Sequence, residues 1–368
     1  MKIIYVRHCR HVWLLLLSVW TFAAVIPHIW VKVGWRVPTT SHLQQTHQRP
    51  NAVILILARN SELDALERTL LQFEARFNRQ FKYPYVLLND QPFTEEFQDR
   101  MRSLTTANTT FGLVNEGRYD AFNYPRHLDQ QIADTSRARM SKEGVKYGDS
   151  VAYRHMCRWY SGLFALHPKL QGYEWYWRVE PGVNFYCDIP YDVFEYMEKN
   201  NKAYGFVISL LELPETVASL WPITREYLRQ RKVMNATLLN YFLNDWGDYN
   251  LCHFWSNFEI ARFSLWRDPA YLDFFNFLDR WGGFFLERWG DAPVHSFWVG
   301  IRLKKPQVHF FRDIGYRHDT ITHCVDDGEL AQRCQCPPNE RNFDFHRDSC
   351  LARWLDYQPS LYKNKHVF

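Results

Sequence analysis

Glu180 stands two residues after Arg178, where the run Trp175, Tyr176, Trp177 and Val179 stops at Glu180-Pro181-Gly182. Aromatic and β-branched residues favour strands. Proline fixes φ and glycine admits positive φ, so the chain turns there. An acid and a base at the carboxyl end of a buried strand, with a helix expected over Tyr191–Lys199, occupy the place where open α/β sheets bind ligands. A hard divalent cation that carries a diphosphate needs few protein ligands, because phosphate and water oxygens fill the remaining positions. One carboxylate joined by one more oxygen or imidazole suffices. Glu180 is the only acid the motif offers, since Gly182 stands where a second would complete an Asp-x-Asp pair. A purely structural ion pair with Arg178 is the competing reading.

His318 lies in a second polar group, Arg312, Asp313, His318 and Asp319, that follows an apolar strand at Val308–Phe311. Imidazole suits Mn²⁺ better than Ca²⁺ or Mg²⁺, so His318 is a candidate to close a site begun by Glu180; a structural histidine is the alternative. Glu259 is set among Trp255, Phe258 and Ile260. A carboxylate in such surroundings is desolvated unless paired, and carboxylates of this kind serve as nucleophile or base in glycosyl chemistry. Pairing with Arg262 is the other reading. Asp291 and His295, four apart on an expected helix, share one face and can hold a sugar hydroxyl or cap the helix.

Other chemistries lack their signatures. There is no Gly-x-Ser-x-Gly elbow, no His-Glu-x-x-His zinc helix, no Gly-x-Gly-x-x-Gly fingerprint and no Walker A loop. Net charge is only +4, with no long basic run after the amino terminus, so a nucleic-acid partner is not expected.

The elements that must position these residues are legible in outline. Ala52–Ala58 is a continuous apolar run, as in a strand buried on both faces. Ser61 and Asp64 resemble a capping box. Leu63, Leu66, Leu70, Phe73 and Phe77 then recur at helical spacing, and Tyr85–Leu88 is the next strand. This βαβ unit implies a mostly parallel sheet flanked by helices. Further strands are expected at Phe111–Val114 and Ala203–Leu210, and helices at Thr94–Leu104, Tyr153–Leu166, Glu215–Arg231 and Asp268–Arg280. A last helix should begin near Asp291.

Residues 12–31 carry no Lys, Arg, Asp or Glu, about the length that crosses a bilayer as a helix. Lys2, Arg7 and Arg10 precede them, which puts the amino terminus on the cytosolic side. A cleaved signal peptide would have a shorter apolar core. The expected organisation is therefore a cytoplasmic tail (1–11), a transmembrane signal anchor (12–31), a stem (32–50) and a lumenal domain (51–368). Asn108 and Asn235 are glycan acceptor sequons. Seven of the eight cysteines follow the anchor, so in an oxidising compartment some pair and at least one is left over. Cys324, Cys334, Cys336 and Cys350 cluster, with gaps that match zinc ribbons poorly.

Taken together, AVILILARNSEL, YRHMCRWYSGLF, YEWYWRVEPGVNFYCDIPYDVF, YNLCHFWSNFEI, GGFFLERWGDAPVHS and FFRDIGYRHD resemble the fungal KTR-type α-1,2-mannosyltransferases of the secretory pathway. The blocks span almost the whole chain after the stem. The resemblance implies a GT-A type nucleotide-sugar transferase fold, GDP-mannose as donor, Mn²⁺ as cofactor, a mannosylated glycoprotein or glycan as acceptor, and a single-pass type II Golgi membrane topology. By motif position it implies Glu180 and His318 as metal ligands, and Glu259 and Tyr153 as catalytic residues. Arg59 and Arg178 would face the donor; Glu212, Asp291 and His295 would face the acceptor. The activity implied is retaining α-1,2-mannosyl transfer; the alternative is an inactive paralogue that binds mannan.

Overall fold

In the Ala52–Leu57 strand (β1), neighbouring side chains enter opposite cores. Val53 and Leu55 join one hydrophobic cluster with Val86, Leu88 and Tyr176, while Ile54 and Ile56 join another with Tyr85, Leu87 and Trp177. That is why the β1 sequence is apolar without alternation. The computed structural model describes residues 49–118, 120–233 and 236–358. The expected tail, anchor, nearly all of the stem and the Asn235 sequon lie outside them. Asn108 is exposed. Among the described residues no helix is long and apolar enough to cross a membrane.

The remaining strands are β2 (Tyr85–Asn89), β3 (Thr109–Leu113), β4 (Trp175–Arg178), β5 (Asn184–Phe185), β6 (Tyr204–Phe206), β7 (Ser209–Leu211), β8 (Cys252–Phe254), β9 (Glu259–Arg262), β10 (Val308–Phe310), β11 (Tyr316–His318) and β12 (Ile321–His323). The main sheet has seven strands in the order β10-β6-β9-β4-β1-β2-β3. Within it β9 alone runs antiparallel to its neighbours β4 and β6; β1, β2, β3 and β4 are parallel, as are β6 and β10. The chain leaves β1 toward β2 and β3, then returns to place β4 on the other side of β1. This reversal opens a crevice beyond the carboxyl ends of β1 and β4, where Arg59 and Glu180 follow their strands.

Several elements begin or break at residues whose chemistry explains the point. The first helix, Leu63–Phe73, is preceded by a short 3₁₀ turn at Asn60–Glu62, and Glu62 rather than Asp64 accepts from the Arg59 backbone N–H at 2.7 Å. The expected helix over Glu215–Arg231 starts instead at Leu220, because Pro222 is tolerated only in a first turn. The apolar Ala203–Leu210 run is two strands: β6 stays in the main sheet, while β7 pairs with β8 in a small second one. The helix expected over Tyr153–Leu166 is α-helical at Val151–Arg158, then passes through a π turn (Trp159–Leu163) and a 3₁₀ turn (Phe164–Leu166). Among the described residues there are three disulfides: Cys187–Cys334 and Cys252–Cys350 tie the carboxyl-terminal segment to the body, Cys324–Cys336 closes a loop within that segment, and Cys157 is buried and free.

Candidate active site

Glu180 and His318 come from strands far apart in sequence and meet at the sheet's rim. Glu180 follows β4, and its turn depends on Gly182, which sits at φ +84° and donates its amide to Thr69 Oγ1 at 3.0 Å. His318 ends β11, which pairs antiparallel with β5 just beyond that turn (Tyr316 opposite Phe185, Arg317 opposite Asn184). Gly315 lets the strand approach closely: a Cβ there would lie 2.7 Å from Cys187 Sγ. The pairing brings His318 Nε2 to 3.2 Å from Glu180 Oε2. The His318 Nδ1 atom is buried without a partner, and the Trp255 ring stands edge-on to the imidazole at 4.9 Å.

Arg178 is 3% exposed and bonds Glu180 on one side and Asp291 Oδ2, at 2.6 Å, on the other. Its guanidinium lies 3.5 Å over the Tyr160 ring, a cation–π contact. Burial alone would push the Glu180 carboxyl up; the Arg178 charge and the His318 hydrogen bond outweigh it and hold it at about 2. Glu180 is therefore ionised at any physiological pH and presents an anion at the rim, as a cation ligand must.

These side chains border one cavity of about 540 Å³. Its lining includes Leu57, Ala58, Arg59, Asn89 and Asp90, at and just beyond the carboxyl ends of β1 and β2. Arg59 is exposed, whereas the Asn89 carboxamide is buried with neither its Nδ2 nor its Oδ1 bonded within the protein. Tyr153, also on the lining, stacks on Tyr147 with centroids 4.5 Å apart, and Arg288 lies 5.1 Å over the Tyr153 ring. Burial pushes the Tyr153 phenol well above its ordinary range, so it is a neutral hydroxyl. Glu212 bonds Arg288 at 3.0 Å and accepts from Thr216 Oγ1 at 2.8 Å, with His253 Nε2 at 3.7 Å. Ser256 donates to Asp291 at 2.7 Å. Charged groups of both signs, set in aromatic walls, suit a ligand that carries both phosphates and hydroxyls.

Seven of the nine residues singled out in the sequence, Arg59, Tyr153, Arg178, Glu180, Glu212, Asp291 and His318, line this cavity. Two do not. His295 is fully buried: Nδ1 faces Glu259, Nε2 bonds the Tyr160 carbonyl at 2.9 Å, and the ring stacks on Trp266 at 3.9 Å. It shares a helix face with Asp291 as expected, but one turn deeper, where the face enters the core, so it holds no acceptor hydroxyl. Glu259 is 1% exposed, and its carboxylate is taken up by Tyr176, Tyr204 and His295. A nucleophile must border the reacting carbon, and this side chain is sealed behind the wall. Nor does it pair with Arg262, which instead reaches Glu198 at 3.6 Å and covers Trp175. Arg288, His253, Ser256 and Tyr160 also line the cavity. They lie inside the sequence blocks already singled out, but only the folded chain turns them to the site.

The family model described as glycolipid 2-alpha-mannosyltransferase matches residues 31–359. Glycolipid 2-alpha-mannosyltransferase 1 of Candida albicans is 44% identical over 308 residues, covering 82% of this chain and 70% of that protein. Alpha-1,2 mannosyltransferase KTR1 of Saccharomyces cerevisiae is 41% identical over 328 residues, covering 88% and 82%. Among solved structures, the Mn/GDP form of core-mannan synthase A (CmsA/Ktr4) from Aspergillus fumigatus superimposes with a TM-score of 0.77 at 37% identity, over 83% of this chain and 84% of that one. The GDP complex of the mannosyltransferase Ktr4p from S. cerevisiae gives 0.79 at 36% identity, over 85% and 84%. The family model covers most of the chain, and this chain belongs to the glycolipid 2-alpha-mannosyltransferase family.

Proposed function

We propose that this chain is a retaining α-1,2-mannosyltransferase that moves mannose from GDP-mannose to an α-mannoside acceptor on N- or O-linked glycans of secretory glycoproteins. The observation that carries the reading is the meeting of Glu180 and His318 beside Arg178 at the sheet's switch point. The relatives are named α-1,2-mannosyltransferases, and two solved neighbours hold GDP, one of them with Mn.

The residues present fit Mn²⁺. An ionised carboxylate and an imidazole whose second nitrogen has no protein partner are a mixed oxygen–nitrogen donor set, of the kind this metal accepts. Among the described residues no cluster of three or more His, Cys, Asp or Glu could hold an ion, so the other positions fall to phosphate and water oxygens. When bound, the ion supplies positive charge that stabilises the diphosphate as a leaving group.

The chain's own groups do the rest. Arg178, held from both sides, offers charge-assisted hydrogen bonds to phosphate oxygen. Arg59 faces the nucleotide, and the unpartnered Asn89 carboxamide presents one donor and one acceptor to the edge of its base. Tyr153, Glu212 and Asp291 hold the acceptor sugar. With Glu259 off the cavity wall, retention follows from attack on the leaving-group face, a phosphate oxygen taking the acceptor's proton. The three disulfides suit an oxidising compartment, in line with a lumenal domain held at the Golgi membrane by residues 12–31.

Incubation with GDP-mannose and methyl α-mannoside, with and without Mn²⁺, tests the activity. GDP release matched by an α-1,2-linked dimannoside is the expected product. Mannan binding without GDP release would replace the transferase reading with a lectin.

A further inference from the structure

Arg178 and Glu259 face each other across the antiparallel β4–β9 pair, so both side chains rise from the same face of the sheet. The Asp291–Arg302 helix covers that face and meets it twice. Asp291 holds Arg178 at 2.6 Å, and His295, one turn on, holds Glu259 at 2.9 Å. The first contact lines the cavity; the second is wholly internal.

The inner contact is built without slack. A carbonyl only accepts, so the His295–Tyr160 bond fixes a proton on Nε2. Nδ1 then faces the Glu259 carboxyl group at 2.9 Å. The Trp266 indole N–H donates to Tyr176 Oη at 2.7 Å, which turns the Tyr176 hydroxyl proton onto Glu259. Tyr204 donates to the other carboxyl oxygen at 2.9 Å. Tyr160, whose carbonyl anchors His295, carries the ring on which the Arg178 guanidinium rests. The inner pair thus reaches the outer one along the strand register, along the helix and through Tyr160.

We propose that Glu259 and His295 are positioning residues: the pair seats the first turn of the Asp291–Arg302 helix on the sheet, and so fixes the Asp291 carboxylate that aims Arg178 at the donor's diphosphate. The inference rests on the transferase reading above and gives Glu259 a part that needs no contact with the sugar.

Glu259→Ala would orphan two tyrosine hydroxyls and an imidazole and so threatens folding itself. Glu259→Gln is the discriminating variant, because its amide oxygen still accepts from Tyr176 while its NH₂, at the other position, donates to His295 Nδ1 and leaves Tyr204 to turn its hydroxyl and accept. Turnover with GDP-mannose should fall by about tenfold, whereas removing a nucleophile costs on the order of a thousandfold or more. Positioning through Arg178 further requires that Glu259→Gln and Arg178→Lys combine non-additively in kcat/KM for GDP-mannose. Glu259→Gln should also shrink the rise in thermal midpoint that GDP produces. A thousandfold loss, with azide restoring GDP release from Glu259→Ala as β-mannosyl azide forms, would make Glu259 the nucleophile and overturn the proposal. So would strictly additive effects with an unchanged GDP midpoint shift, which would mean a role in folding alone. If the wild-type protein shows no turnover, the transferase reading fails by itself, and the GDP midpoint shifts of the same variants still decide the positioning.

Discussion

At the scale of single residues, the site sets polar groups that the protein pairs beside polar groups that it leaves unpaired. Arg178 has two carboxylates and a ring, while the Asn89 carboxamide has none. An unpaired buried amide costs stability unless a ligand completes it. Asn89→Leu should therefore weaken GDP binding by about tenfold, the worth of one to two hydrogen bonds, and narrow the difference in affinity between GDP and UDP. Calorimetric titration of both nucleotides checks it; an unchanged ratio would remove Asn89 from base recognition. Gly182 is a different kind of requirement. Nothing lies within 4 Å of a Cβ placed there, but its φ is +84°. Gly182→Ala should thus cost about 1–2 kcal/mol of strain and show as a lower thermal midpoint, without any steric clash to relieve. The glycine that stands in place of a second acid is explained by the turn and does not argue against catalysis.

At the scale of elements, the His318 hairpin is the piece whose placement decides the metal site. Glu340 gathers Arg317, Thr322 and Tyr186 beneath it, and the Cys187–Cys334 disulfide ties the segment after β12 to the segment after β5. Cys334→Ser frees the hairpin's outer support. It should lower stability by about 2–4 kcal/mol and raise the Mn²⁺ concentration needed for half-maximal activity more than it raises KM for GDP-mannose. Equal effects on both would show that the tether is not specific to His318. This is also where sequence reading reaches its limit. The Glu180 turn could be read directly, since aromatic strand residues, proline and glycine each act locally. That Glu180 and His318 meet depends on β5–β11 pairing between two very short strands, which leaves no periodic signal. Glu259 shows a related limit: an acid among aromatics looks the same whether the aromatics line a cavity or, like Tyr176 and Tyr204, consume its lone pairs inside the core. The strand β9 (EIAR) is short and carries a charge at each end, so it leaves no strand signal in the sequence.

At the scale of the whole molecule, the sheet is buried on both faces, and its polar content is concentrated at one rim and in the core behind it. His155 is part of that core, 8% exposed among Phe122, Tyr124 and Phe285, with Nδ1 unpartnered. Burial, and secondly the Arg158 charge, push its pKa down to about 4. Between the unfolded value near 6.5 and about 4 the unfolded chain takes up a proton that the folded chain refuses, so folded stability falls as pH drops through that window. His155→Phe should remove up to about 3 kcal/mol of that loss, read as a smaller drop in thermal midpoint between pH 6.5 and 4.5 than in the wild type. An identical drop would mean that His155 finds a proton acceptor on folding. The whole account turns on one cation held between mid-chain and the far end. The most direct measurement is Mn²⁺ binding in the presence of GDP, followed by electron paramagnetic resonance, for wild type, Glu180→Ala and His318→Ala. The account predicts one Mn²⁺ per wild-type chain and a loss of affinity of about a hundredfold in each variant; wild-type affinity in either variant would contradict it.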